Sequence, residues 1–138
     1  MTGYVTDKQY ARCANVPLSA AQTELRAAKT LMLASVTLAH GERLELRGLT
    51  LSLISVLNPA ITPKYLNSDL GLCSVGIYNT TMISSPLAYT LSHGNTTITN
   101  PFSNCVIATP GVYQVILSNN TSNVDLSVAA TGSLKHYY

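Results

Sequence analysis

At 138 residues the chain has the length of one domain, and with 46% hydrophobic residues it does not have a disordered composition. Charged residues are 10%, against about 25% in ordinary soluble domains, and a formal charge of +2 is too small to imply nucleic acid as a partner. No apolar run reaches the roughly 18 residues of a spanning helix, and the opening MTGYVTDKQYARC lacks the apolar centre of a secretory signal, so no membrane partner is expected.

Residues 1–29 are mixed in charge and weakly periodic, and are set apart as an N-terminal arm. Ser19-Ala-Ala-Gln22 matches a capping box ahead of helix formers, which suits a short helix. Val16-Pro17 forces an extended path, which suits an extended arm equally well.

From residue 30 the period becomes two. Residues 31–38 are apolar at both parities, which predicts a strand covered on both faces. His40-Gly41 predicts a tight turn. In the strand that follows, Leu44 and Leu46 hold one parity and Leu49, Leu51 and Leu53 the other. A one-residue slip turns an apolar set outward unless a bulge corrects it. Gly48 lies at the slip, so a bulge is expected there.

A proline-bounded loop, Asn58 to Pro63, leads to further short strands. They are expected at Leu72–Tyr78, Leu87–Ser92, Thr96–Thr99, Cys105–Thr109, Val112–Ser118, Val124–Ala130 and Leu134–Tyr137. Turn residues separate them, Thr131-Gly132 before the last. Such spacing predicts an all-β domain over residues 30–138, an antiparallel β-sandwich or jelly roll of about eight strands.

From Leu70 to Val124 there is no Asp, Glu, Lys or Arg. Hydroxyls and amides satisfy turns and strand edges but do little acid–base chemistry, so the chain is not expected to be an enzyme. Gly71-Leu-Cys-Ser-Val-Gly76 has one residue more than a nucleophile elbow and no helix pattern after Ser74. Glu42 and Glu45 stand beside Arg43 and Arg47 and read as a solvated strand end with weak ion pairs, not as the two carboxylates of a glycosidase. Asp69 and Asp125 lie near Asn and Ser and read as turn residues, so no metal and no cofactor is expected. Cys13, Cys73 and Cys105 form no C-x-x-C pair and read mainly as free thiols, with a Cys73–Cys105 bridge as the alternative. The N-x-[ST] sites at Asn79, Asn95, Asn119 and Asn120 read as turns.

Aromatic residues mark both ends. Tyr pairs a large apolar face with a hydrogen-bonding tip, which suits interfaces. Tyr137 and Tyr138 close a strand that runs to the last residue and are read as a subunit or partner contact, with simple packing of the chain's own terminus as the alternative.

The hairpin Leu38-Ala-His-Gly-Glu-Arg-Leu44, the Leu-alternating strand to Leu57 and the closing stretch Pro110 to Asn120 through Thr131 to Lys135 carry a further likeness. With the leading arm, this pattern resembles the small head decoration (cement) proteins of tailed bacteriophages. The resemblance implies a jelly-roll-like homotrimer on the outer surface of the virion, made in the host cytoplasm. It would bridge and stabilise major capsid protein subunits and would have no catalytic residues. An arm clamping its neighbours would use its aromatic and long cationic side chains, Tyr4, Lys8, Tyr10, Arg12 and Arg26. The alternative is a carbohydrate-binding β-sandwich from a tail fibre or a secreted protein. The chain has no Trp, but Tyr78, Tyr89 and Tyr113 would make a platform if they shared an open face.

Overall fold

Alternation of apolar and polar residues organises the chain into eight strands in the computed structural model, which describes residues 12–57, 72–82, 86–91, 105–122 and 124–138. The strands are β1 (Cys13–Leu25), β2 (Thr30–Leu38), β3 (Arg43–Val56), β4 (Cys73–Asn79), β5 (Ala88–Leu91), β6 (Cys105–Ile107), β7 (Gly111–Asn119) and β8 (Leu126–Tyr137). They form two four-stranded sheets, β1-β8-β3-β6 (sheet A) and β2-β7-β4-β5 (sheet B). Every pairing is antiparallel. The first strand pairs with the last, the second with the seventh, the third with the sixth and the fourth with the fifth. The chain is thus one long hairpin wrapped across two sheets, which is the jelly-roll form of the sandwich. Among the described residues no helix is long and apolar enough to cross a membrane.

The core lies between the sheets. Leu18, Leu44, Leu46, Leu49, Leu51 and Leu53 of sheet A meet Val75, Ile77, Tyr113, Val115 and Leu117 of sheet B, all of them buried. The expected bulge is present. The β3–β8 register shifts between Arg47 and Thr50, and Gly48 has φ of 63°. That left-handed residue keeps all five leucines on the core side. The Ala39–Glu42 turn is also as expected, with Gly41 at φ 85° and the Glu42 amide donating to the Ala39 carbonyl.

Four expectations need correction. The arm does not extend to residue 29, because Cys13–Leu25 is an edge strand of sheet A paired along its length with β8. The capping-box pattern forms no helix there. Instead a register shift falls between Ala20 and Thr23, with Gln22 at φ 44°. Pro17 is tolerated because β1 is an edge strand. The domain boundary at residue 29/30 therefore falls inside the sandwich. Second, β2 is an edge strand and not one covered on both faces, with Leu31 and Met32 exposed. Third, Thr131-Gly132 is not a turn, since β8 runs unbroken through it. A Cβ on Gly132 would lie 3.0 Å from the Leu49 backbone, so glycine there permits close strand approach at the bulge. Fourth, Glu45 is buried and not solvated. The expected strand Thr96–Thr99 and the loop Asn58–Pro63 lie outside the described residues.

Candidate functional site

The two sheets present chemically different outer faces. None of the four strands of sheet B contains a charged residue. The register places Tyr89, Gly76, Ile116 and Met32 in one row across this face, and Tyr78, Gln114 and Ser35 in the next. Met32 and Tyr89 are each about half exposed, at 53% and 50%, and Val112 is also exposed. The face is therefore uncharged, partly apolar and open at several points, which is the character of an interaction surface. Tyr78 and Tyr89 lie close enough that burial first, and the neighbouring Tyr89 second, push the Tyr78 hydroxyl pKa up. Tyr113 does not join them. It is buried in the core, with its hydroxyl donating to the Thr109 carbonyl.

Among the described residues sheet A carries every charged side chain found in a strand, namely Glu24, Arg43, Glu45, Arg47 and Lys135. Arg43, Glu45 and Arg47 alternate on β3 and so share its outer side. Glu45 lies between the two arginines. Its Oε1 accepts from Arg47 Nε at 3.1 Å and Nη2 at 2.7 Å, and its Oε2 lies 3.1 Å from Arg43 Nη2. The Tyr137 hydroxyl donates to the same Oε1 at 3.2 Å, and the Arg43 guanidinium sits 4.7 Å from the Tyr137 ring centre. Its neighbour Glu45 holds the Arg47 pKa above its ordinary value. Burial, then the Glu45 charge, pushes the Tyr137 pKa up. The signal for this cluster was in the sequence as R-x-E-x-R on a strand, but its burial depends on β8 supplying Tyr137.

At the same end, Glu42 Oε1 accepts from the Ala39 amide at 3.0 Å and lies 2.7 Å from His136 Nε2. This fastens the β2–β3 turn to the end of β8. The Ala39 hydrogen bond, then that of His136, lowers the Glu42 pKa.

Of the proposed arm residues, Tyr4, Lys8 and Tyr10 lie outside the described residues. Arg12 is exposed, 5.8 Å from the Tyr138 ring, and exchanges backbone hydrogen bonds with Tyr138 at 2.9 and 3.0 Å. Arg26 is exposed in the β1–β2 turn at the far end of the sandwich, 3.9 Å from Asp125. The structure therefore separates Arg26 from Arg12. It brings Arg12 and Tyr138 together, and it places Tyr137 in the Arg43–Glu45–Arg47 cluster, whose ion pairs were expected but whose burial was not. Tyr137 is engaged within its own chain, whereas Tyr138 is exposed.

Two N-x-T motifs are turn locks. Asn79 Oδ1 accepts from the amide and hydroxyl of Thr81, and Asn119 Oδ1 accepts from those of Thr121. Asn119 Nδ2 also donates to the Leu25 and Val124 carbonyls, both at 2.9 Å. Asn119 is 3% exposed, so its amide has no room for a glycan in the folded chain. All three cysteines are free. Cys105 lines a cleft of about 450 Å³ with Leu87, Val106 and Ile107, and burial pushes its thiol pKa up, away from the reactive thiolate. Ser74 lies within β4, which continues to Asn79 where an elbow would need a helix.

No protein-family model and no curated protein sequence matches the chain. Its fold is similar to that of a chain in the structure of infectious bursal disease virus Gx strain, with a TM-score of 0.51 at 15% identity over 99% of this chain and 36% of that one. The D431N mutant VP2 protein of infectious bursal disease virus, in derived T=1 particles, is similar at a TM-score of 0.48 and 18% identity over 92% of this chain and 32% of that one. A CBM36-1 domain of a multidomain xylanase from the hindgut metagenome of Trinervitermes trinervoides has a TM-score of 0.38 at 14% identity over 92% and 98% of the two chains. The chain spans about a third of the length of the viral chains. At these identities the likeness is one of fold, a β-sandwich.

Proposed function

We propose that this chain is a structural virion protein, a capsid decoration or cement subunit that docks through the outer face of sheet B. The observation that carries this reading is the absence of any charged residue from all four strands of that sheet, with Met32, Val112 and Tyr89 left exposed. Fold likeness to a virus-particle chain supports it only by analogy. A neutral face docks without long-range repulsion between the many copies on one particle. The partner is the major capsid protein, and the three-fold self-association implied by the phage resemblance would add avidity without new contacts.

The test is co-sedimentation with capsids lacking the protein. Attachment should change little between low and high salt, and Met32→Lys should abolish it while the sandwich stays folded. Attachment that vanishes on adding salt, or that survives Met32→Lys, overturns the reading. Sedimentation of the free protein reports whether it is a trimer. The arm must be tested by deleting residues 1–11, since deleting 1–29 would remove strand β1.

A second reading, carbohydrate binding, is favoured by Tyr78 and Tyr89 lying together on the same face. Glycan binding that is lost in Tyr89→Ala, by protein that does not attach to capsids, would select it.

A further inference from the structure

We propose that the outer face of sheet A, at the end carrying Arg43, Arg47 and Lys135, is a second docking surface, for a protein partner that presents carboxylates. This surface is separate from the sheet B face, so the proposal stands or falls independently of the capsid reading.

The charge distribution is the first argument. Arg43, Arg47 and Lys135 are three of the eight Lys and Arg residues of the chain. Strand register gathers them: Arg43 lies opposite Tyr137, and Lys135 opposite both Glu45 and Asn15. Arg12, paired through its backbone with Tyr138, falls with Tyr138, His136 and Glu42 on the opposite side of the strands and is not part of this face. Among the described residues Glu45 is the carboxylate on this end of the face, Glu42 being turned to His136 on the other side. Three cations against one carboxylate leave a surplus of two, which equals the formal charge of the whole chain.

The second argument is what the carboxylates do. Glu45 is buried and spends both oxygens on its own arginines. Glu42 is spent on Ala39 and His136. The Arg47 side chain, by contrast, remains 51% exposed while Glu45 holds one edge of its guanidinium. A planar donor fixed on one edge and wet on the other is pre-organised for a partner carboxylate.

The third argument selects the class of partner. Arg and Tyr are the residues that anchor protein interfaces, and here Arg43, Arg47 and Tyr137 stand together. Exposed Val106, opposite Glu45 on β6, adds apolar surface. A surplus of two is small beside the phosphate contacts of a nucleic-acid site or the clustered cations of a lipid-binding segment. The same patch on a second copy would repel it.

The probe is a short, labelled peptide rich in Glu and Asp, titrated by fluorescence anisotropy at low and high salt. Wild-type protein should bind it in low salt and weaken as salt is added. Arg47→Gln with Lys135→Gln should weaken binding about tenfold. Arg26→Gln with Lys29→Gln, the same charge change at the far end, should weaken it less than about twofold. Lys135→Gln alone leaves the Glu45 cluster intact and should cost about threefold, so it serves if the double variant fails to fold. Equal losses in the two double variants would overturn the proposal, as would absence of salt-dependent binding. Tighter binding of duplex DNA or phosphatidylserine vesicles than of the peptide, through the same residues, would overturn it in favour of a general polyanion surface.

Discussion

Sheets A and B both turn an apolar inner face to one core, leucine-rich in sheet A and mixed in sheet B, yet their outer faces have little in common. Sheet B keeps no charge on any strand. Sheet A holds a carboxylate buried against two guanidiniums. The inner faces answer to packing, which needs only apolar volume at alternate positions. The outer faces are free of that demand, so their difference reports on what each side meets. A neutral face tolerates crowding against another neutral surface. A fixed ion cluster rewards one geometry and is costly to disturb.

The largest expected effect lies where the two sheets depend on each other. Asn119 ends β7 of sheet B, yet its amide donates to the Leu25 carbonyl of β1 and to that of Val124 just before β8, both leading into sheet A. Asn119→Ala takes the side-chain donor from the Leu25 carbonyl and the acceptor from the Thr121 amide, and leaves the Val124 carbonyl with the Thr121 hydroxyl; it should cost about 3 kcal/mol in denaturant unfolding. A loss below about 1 kcal/mol would mean that the sheets are joined by apolar packing alone. Next comes Glu45→Ala, which strips the counter-charge from Arg43 and Arg47. A fully buried pair would lose about 3–5 kcal/mol. Arg47 is half exposed, so about 2 kcal/mol is expected after solvent screening. If the variant is as stable as wild type, the cluster is a surface feature and the contrast between the faces is one of composition only.

How much of this was legible in the sequence follows from the range of the interactions. The bulge at Gly48 was readable because leucine parity on either side of it is a local pattern, and the His40-Gly41 turn because its φ demand is local. Strand β1 was not, because Ser19-Ala-Ala-Gln22 satisfies a helix-start pattern, and only pairing with β8, more than a hundred residues away, decides for the strand. Thr131-Gly132 resembles a turn until Leu49 is brought against Gly132. The identity of Arg43, Glu45 and Arg47 as one face was available from alternation. The burial of Glu45 was not, since Tyr137 reaches it from 92 positions further along.

Acid should distinguish the faces as well. Strands of sheet B carry no carboxylate, whereas the end of sheet A is fastened by Glu42 to His136. The folded-state pKa of Glu42 is lowered from an ordinary value of 4.5. Its contribution is therefore fully present above that value and is lost as pH falls through the lowered one. Thermal unfolding followed from pH 6 downward should show a stability loss beginning below about pH 4.5 that is smaller in Glu42→Gln. An identical acid profile for the two proteins would remove Glu42 as the fastening.

The smallest effect on stability is expected for the substitution with the largest effect on docking. Met32 is 53% exposed on an edge strand, so Met32→Lys removes little buried surface, and charge on an edge strand is a common protection against edge pairing. Unfolding should shift by less than about 0.5 kcal/mol. The pairing of a silent stability measurement with a lost attachment is what separates a docking face from an exposed part of the core. Were Met32→Lys to destabilise the fold by more than about 1 kcal/mol, the outer face of sheet B would be contributing to the chain's own packing, and its neutrality would need no partner to explain it.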